Sequence, residues 1–210
     1  MSVQHPAHRG SICLEDGKVL AQQTFPGDQF VIRIEAPKCA ARALPGSFAH
    51  LTVDDDIPMR RPLSIMRADP REGWIDILYK IVGPGLSALA RRRVGDSLSV
   101  LGPIGRGFDL NPARPRPLLI GGGVGIPPMV FLAEAITADR RAEWKPLVLM
   151  GSEIPFPFQS RPSTILVPGI PDGVIASMPL LSTTRPPPCA TATPSLAVPP
   201  VLPAASHRPH

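Results

Sequence analysis

The sequence predicts a β-rich first half, an α/β second half and a C-terminal segment without regular structure. Three observations carry this reading. Before residue 111, short stretches of alternating apolar and polar residues recur between turn signals. After it, the patterns of a strand, a helix and further strands follow one another. From Gly173 to His210 there is no Asp or Glu, and from Ser182 onward no glycine.

The chain has 210 residues, enough to bury a sizeable core in one large domain or two small ones. Its 29 prolines are unusual for a globular composition. The net charge of +5 is modest, and Lys and Arg are scattered apart from Arg60-Arg61 and Arg91-Arg92-Arg93. A nucleic-acid partner is therefore not expected. Cys13, Cys39 and Cys189 lie far apart, so neither a disulfide framework nor a metal site is expected. Isolated thiols fit a reducing compartment. The N-terminal segment has no apolar signal core. Residues 117 to 133 are uncharged, but their glycines and prolines argue against a spanning helix. A cytoplasmic protein with no membrane partner is the expectation.

The elements follow in order. "DQFVIRIEAP" alternates and ends at Pro37, as a strand does. "GSFAHLTV", "RPLSIM", "WIDILYKIV" and "DSLSVLG" repeat the pattern, separated by turns such as Asp54-Asp55-Asp56 and Asp69-Pro70. Several short strands at this spacing predict a small barrel or a sandwich. A helix over residues 85 to 93, "GLSALARRR", interrupts them. The first domain is read as residues 1–110, and "NPARPRP" marks its end. In the second, residues 111–181, "PLLIGG" is a buried strand and "IPPMVFLAEAITADRR" a helix with prolines near its start and basic residues at its end. "KPLVLMGS" and "STILVPG" are further strands, giving the strand–helix–strand order of a parallel sheet. Residues 182–210 are Pro, Ala, Thr, Ser and Val without period, a composition that predicts disorder.

Four segments carry candidate chemistry. In "LIGGGVGIPPM" glycines join a strand to a helix start, where free N–H groups and the helix dipole suit a phosphate. The dinucleotide fingerprint fails, because the sixth position from Gly121 is Ile126. A tight turn with no ligand explains the glycines equally well. In "RRPLSIM", Arg61 and Leu63 share one face of a strand and Ser64 takes the other. Arg61 can clamp a diphosphate, or be a surface residue of an edge strand. "LYKIVGPGLSALA" adds a second glycine turn before a helix, where the N–H groups of Gly85, Leu86 and Ser87 can meet a phosphate. Tyr79, the only tyrosine, can stack on a cofactor or simply fill a strand. "GPIGRGFDL" is a glycine-rich loop or a plain linker.

Taken in order, "RRPLSI", "ILYKIVGPGLSAL", "GDSLSVLGPIGRGF" and "LLIGGGVGIPPM" resemble the ferredoxin reductase superfamily, and within it the electron transfer subunits of dihydroorotate dehydrogenase. The resemblance spans roughly residues 10 to 180. It implies an antiparallel FAD-binding barrel followed by a shortened parallel-sheet domain for NAD(H) or NADP(H). It places Arg61, Pro62, Leu63 and Ser64 at the flavin, with the arginine on the diphosphate and the serine near the reactive edge. Leu78, Tyr79 and Lys80 would line the flavin, and Gly85 and Leu86 would meet its phosphates. The family has a threonine where Leu86 stands, so a hydroxyl contact is lost unless Ser87 supplies it. Gly121, Gly122, Gly123, Val124, Gly125, Ile126 and Pro127 match the nicotinamide-side turn. The family's [2Fe–2S] cysteine cluster has no match, since such centres need four ligands. No catalytic base is implied, because the cofactors carry the chemistry. The implied partner is a catalytic dehydrogenase subunit or another electron acceptor, and the implied setting is pyrimidine biosynthesis. The residues alone also allow a flavin-binding scaffold without nicotinamide turnover, or a β-barrel interaction module without a cofactor. After "SMPLL" the pattern breaks, and a replaced C-terminus is expected there.

Overall fold

The computed structural model describes residues 12–54, 56–140 and 143–157, and the strands Arg161–Pro162, Ala176–Pro179 and Ala197–Pro203. Six strands, β1 (Cys13–Phe25), β2 (Gln29–Glu35), β3 (Phe48–Thr52), β4 (Arg61–Asp69), β5 (Trp74–Lys80) and β6 (Ser97–Ile104), close into an antiparallel barrel ordered β1-β2-β5-β4-β3-β6. The barrel, rather than the sandwich, is therefore the architecture. Its interior is filled by Val19, Ile32, Ile34, Leu51, Ile65, Ile75, Ile77, Leu98 and Val100. Each such side chain, once fully buried, contributes roughly 1.5–3 kcal/mol relative to exposure.

The alternation marks β2 to β6 but no strand before Asp28, and β1 is the addition. Cys13–Lys18 pairs with β6, and Val19–Phe25 pairs with β2, with a bulge between Val19 and Ala21. The strand changes partner midway, so no single alternating face runs along it. Gly17 shows how close the closure is: a Cβ there would run into the Glu35 carbonyl and the Ile34 side chain.

A short helix, α1 (Pro37–Ala40), receives its cap from β1: the Glu15 carboxylate accepts the N–H groups of Lys38 at 3.0 Å and Cys39 at 2.7 Å. The helix predicted at 85 to 93 is α2 (Gly83–Ala90). It starts earlier because Gly83 takes a left-handed φ of +76° that turns the chain out of β5. It stops earlier because other groups hold its last carbonyls. The Gln22 amide donates to Ala90 O at 2.8 Å and Arg92 O at 3.1 Å. Arg92 itself reaches across to the Val53 carbonyl. The arginine run thus follows the helix instead of ending it.

Beyond the barrel, β7 (Leu118–Gly122) and β8 (Leu147–Gly151) pair in parallel around α3 (Ile126–Ala138). The expected basic end of α3 is corrected: Asp139 is already extended, and the last turn carries no basic residue. The strands β9 (Arg161–Pro162), β10 (Ala176–Pro179) and β11 (Ala197–Pro203) extend the sheet in the order β7-β8-β11-β10-β9. β11 runs parallel to β8, matching Val201 to Val148. The strand expected at "STILVPG", residues 163 to 169, lies outside the described residues. So does the expected disordered tail, apart from β11.

Helix α3 lies between two apolar surfaces. Val31, Met66 and Leu78 on the outer wall of the barrel cover one side, and Leu119, Val148 and Met150 of the sheet cover the other. This explains its largely apolar sequence, since a helix covered on two sides needs little polar face. It also explains β5, whose first six residues are all buried: Ile75, Ile77 and Tyr79 face the barrel interior, while Leu78 faces α3.

Candidate functional site

Arg61 opens β4 and reaches the first turn of α2. Its guanidinium lies directly against Gly85, where a Cβ would collide with it. Its Nε is buried and has no acceptor among the described residues. Buried N–H groups are almost always paired, so this one marks a place for an oxygen acceptor. Helix α2 begins there without a side-chain cap, and its first-turn N–H groups add positive potential. Pro84 removes one of those donors. A fixed cation, an uncapped helix start and a glycine that lets them approach make a cradle that suits a diphosphate. Arg60 points elsewhere. It donates to the Ser99 carbonyl at 3.2 Å and the Ser99 hydroxyl at 3.0 Å, tying β6 to the strand beside it.

The other predicted flavin-side residues divide between exposure and packing. Pro62 and Lys80 are exposed, and Ser64 is half-buried opposite Phe48 in the register. Leu63 and Leu86 pack against the barrel core, and Leu78 packs under α3. Tyr79 is buried. Its ring stacks on Phe30 at 5.4 Å, and its hydroxyl donates to Gln22 Oε1 at 3.3 Å. Burial pushes its hydroxyl pKa up, so it stays neutral. Ser87 donates its hydroxyl to Gly83 O at 3.0 Å, so its proton is engaged within α2.

The glycine turn is also resolved residue by residue. Gly121 is the penultimate residue of β7, where a Cβ would lie 2.9 Å from Met129 Cγ and 3.0 Å from Gly125 O. Gly123 needs its positive φ of +50°. These two are explained by the tight turn alone. Gly122 and Gly125 are different: a Cβ at Gly122 would meet nothing closer than 3.8 Å, and one at Gly125 nothing at all within 4 Å. Their bareness leaves open backbone at the start of α3, beside the almost fully exposed Val124. Ile126 and Pro127 are buried as the first anchors of α3.

Sequence reasoning missed a row of charges beneath α3. Arg33 clamps Asp76 through two bonds of 2.7 and 2.8 Å, and lies 3.6 Å over the Trp74 ring. Arg67, beside Asp76 in the register, donates to Glu134 of α3 at 2.6 Å. Burial raises the Glu134 pKa, against the opposing pull of Arg67, and Asp76 raises it further. The signal was present: each of these charges interrupts an apolar run, as in "VIRIE", "WIDIL", "SIMRA" and "FLAEAI".

Among the described residues, no group of His, Cys, Asp or Glu is placed to hold a metal ion, and no helix is long and apolar enough to cross a membrane.

No family model matches the chain. Individual relatives do. The chain is 35% identical over 125 residues to the dihydroorotate dehydrogenase B (NAD(+)) electron transfer subunit of Shouchella clausii, covering 58% of this chain and 48% of that protein. It is 42% identical over 122 residues to the same subunit of Listeria innocua, with 57% and 48% covered. The chain is similar to electron transfer subunits of dihydroorotate dehydrogenase B. It spans about half the length of these relatives. Among solved structures, an NADH-dependent reduced ferredoxin–NADP oxidoreductase, described for flavin-based electron bifurcation, matches at 26% identity with a TM-score of 0.59, covering 65% of this chain and 48% of that one. The ferredoxin reductase of a carbazole 1,9a-dioxygenase matches at 26% identity with a TM-score of 0.58, covering 67% and 43%. The resemblance carried by the four segments is thus borne out by relatives of both kinds.

Proposed function

We propose that the chain is the flavin-binding part of an electron transfer protein, taking electrons from NADH or NADPH and passing them to a partner. The observation that carries this is the buried Arg61 Nε, set without an acceptor against Gly85 at the uncapped start of α2. The guanidinium and the α2 N–H groups would hold the FAD diphosphate, with Ser64 beside the flavin. The open backbone of Gly122 and Gly125 would admit the nicotinamide dinucleotide at the start of α3. A bound flavin supplies two-electron exchange with a nicotinamide and one- or two-electron exchange with an acceptor. The residues of the chain bind and orient. The named relatives, electron transfer subunits of a dihydroorotate dehydrogenase, support a catalytic dehydrogenase subunit as the partner.

The test is the absorbance spectrum of the purified protein before and after anaerobic NADH or NADPH. Flavin bands that bleach with the nicotinamide support the whole reading. Bands that persist leave a flavin-binding scaffold. A colourless protein that does not take up added FAD is a barrel interaction module, and the proposal fails.

A further inference from the structure

We infer that Arg67 and Glu134 are positioning residues for electron transfer: their ion pair sets where α3, and the glycine turn at its head, sits on the barrel. The inference rests on the flavin–nicotinamide reading above and adds to it the contact that relates the two binding regions. Arg67 belongs to β4, the strand that Arg61 opens, and Glu134 lies in α3, the helix that the glycine turn begins. The Arg67 Nε–Glu134 Oε1 distance is 2.6 Å, and the two side chains are 6% and 19% exposed.

The surroundings show why an ion pair is needed at this place. Val31, Met66 and Leu78 make an apolar seat, and apolar contact has no direction. A helix on such a seat is held by the fit of its side chains into grooves, which tolerates a spread of angles. A charged hydrogen bond has one geometry. The other charges facing it are already committed: Asp76 on β5 is clamped by Arg33 on β2. Glu134 therefore has Arg67 as its cation, and Arg67 has Glu134 as its acceptor, with Arg67 Nη1 buried and without a partner among the described residues. From Ile126 to Glu134 the helix rises about 12 Å, a stiff arm that carries any shift at the pair to the turn. A misplacement of about 1 Å between reacting groups can lower a rate about 100-fold.

Stability and positioning can be separated with the double variant Arg67→Met/Glu134→Leu. Replacing a buried ion pair by apolar residues of similar volume is often neutral or stabilising. The double variant is therefore expected to fold and to hold FAD as the wild type does. Its single-turnover reduction rate at saturating NADH should fall tenfold or more, with the NADH concentration for half-maximal rate changed less than about twofold. Arg67→Lys, which keeps the charge and loses the Nε geometry, should show a smaller fall of the same kind. It stands in for the double variant if that does not fold. Reduction of the stable variant at the wild-type rate overturns the inference and leaves the flavin reading intact. Wild-type protein that holds FAD but is reduced by neither NADH nor NADPH also overturns it, because no nicotinamide is then being positioned. Wild-type protein that takes up no FAD removes the parent reading, and this inference with it.

Discussion

Arg61 rests its guanidinium against the backbone of Gly85, leaving no room for a side chain at that glycine. The first prediction follows from this contact. A hydrogen bond to a charged group contributes about 1.5–3 kcal/mol. Arg61→Ala should therefore weaken FAD binding about tenfold or more. Gly85→Ala should do the same, because the new methyl displaces the guanidinium. Arg60→Ala should leave FAD affinity unchanged, since its partner is Ser99. Flavin fluorescence titration of the three variants checks this, and equal affinities for Arg61→Ala and wild type would contradict it.

The Arg33–Asp76 clamp should be a stability determinant. Its side chains are 14% and 3% exposed, so screening by solvent is slight. Asp76→Ala leaves a mostly buried guanidinium without its carboxylate, which costs about 3–5 kcal/mol. Urea unfolding followed by Trp fluorescence measures the loss. A change below 1 kcal/mol would show that Trp74 and water satisfy Arg33 without the acid.

Glu134 predicts a pH dependence of definite sign. Its folded-state pKa is raised, by burial first, above the value it has in the unfolded chain. Its favourable contribution is therefore complete below the ordinary glutamate range and is lost as pH rises through the raised value. Glu134→Gln cannot lose a proton. The stability of the variant relative to wild type should rise across that interval. Paired urea titrations between pH 4 and 8 test this, and a variant that becomes relatively less stable with rising pH contradicts it. The pair would thus cost stability while it fixes geometry.

Cys39 should resist alkylation. It is fully buried, and its thiol is pushed up to about 12, first by burial and then by Glu15 and Cys13. Thiolate, the reactive form, is scarce at pH 8. Iodoacetamide labelling read by peptide mass spectrometry should modify the half-buried Cys13 first, and Cys39 only on unfolding. Equal labelling rates in the native protein would show that α1 opens readily.

How much of this was legible in the sequence depends on the distance over which each cause acts. The alternation in "DQFVIRIEAP" and "DSLSVLG" is local, because a strand half-facing a core must place its apolar residues two apart. The glycine turns were legible for the same reason: glycine readily accepts the left-handed dihedrals found at Gly83 and Gly123. Strand β1 was not legible, because its two halves answer to different neighbours, β6 and β2, and no one period describes it. The end of α2 depended on Gln22, which lies 68 residues from the carbonyl it holds at Ala90. Tyr79 was ambiguous until the barrel closed and brought Phe30 and Gln22 to it. The sequence by itself determined the β and α/β halves and the two glycine turns, because those follow from the conformational freedom and apolar period of neighbouring residues. Only the tertiary structure decided that Arg61 meets Gly85 and that Arg67 meets Glu134, 67 residues away, because burial and charge pairing depend on which distant surfaces closure brings together.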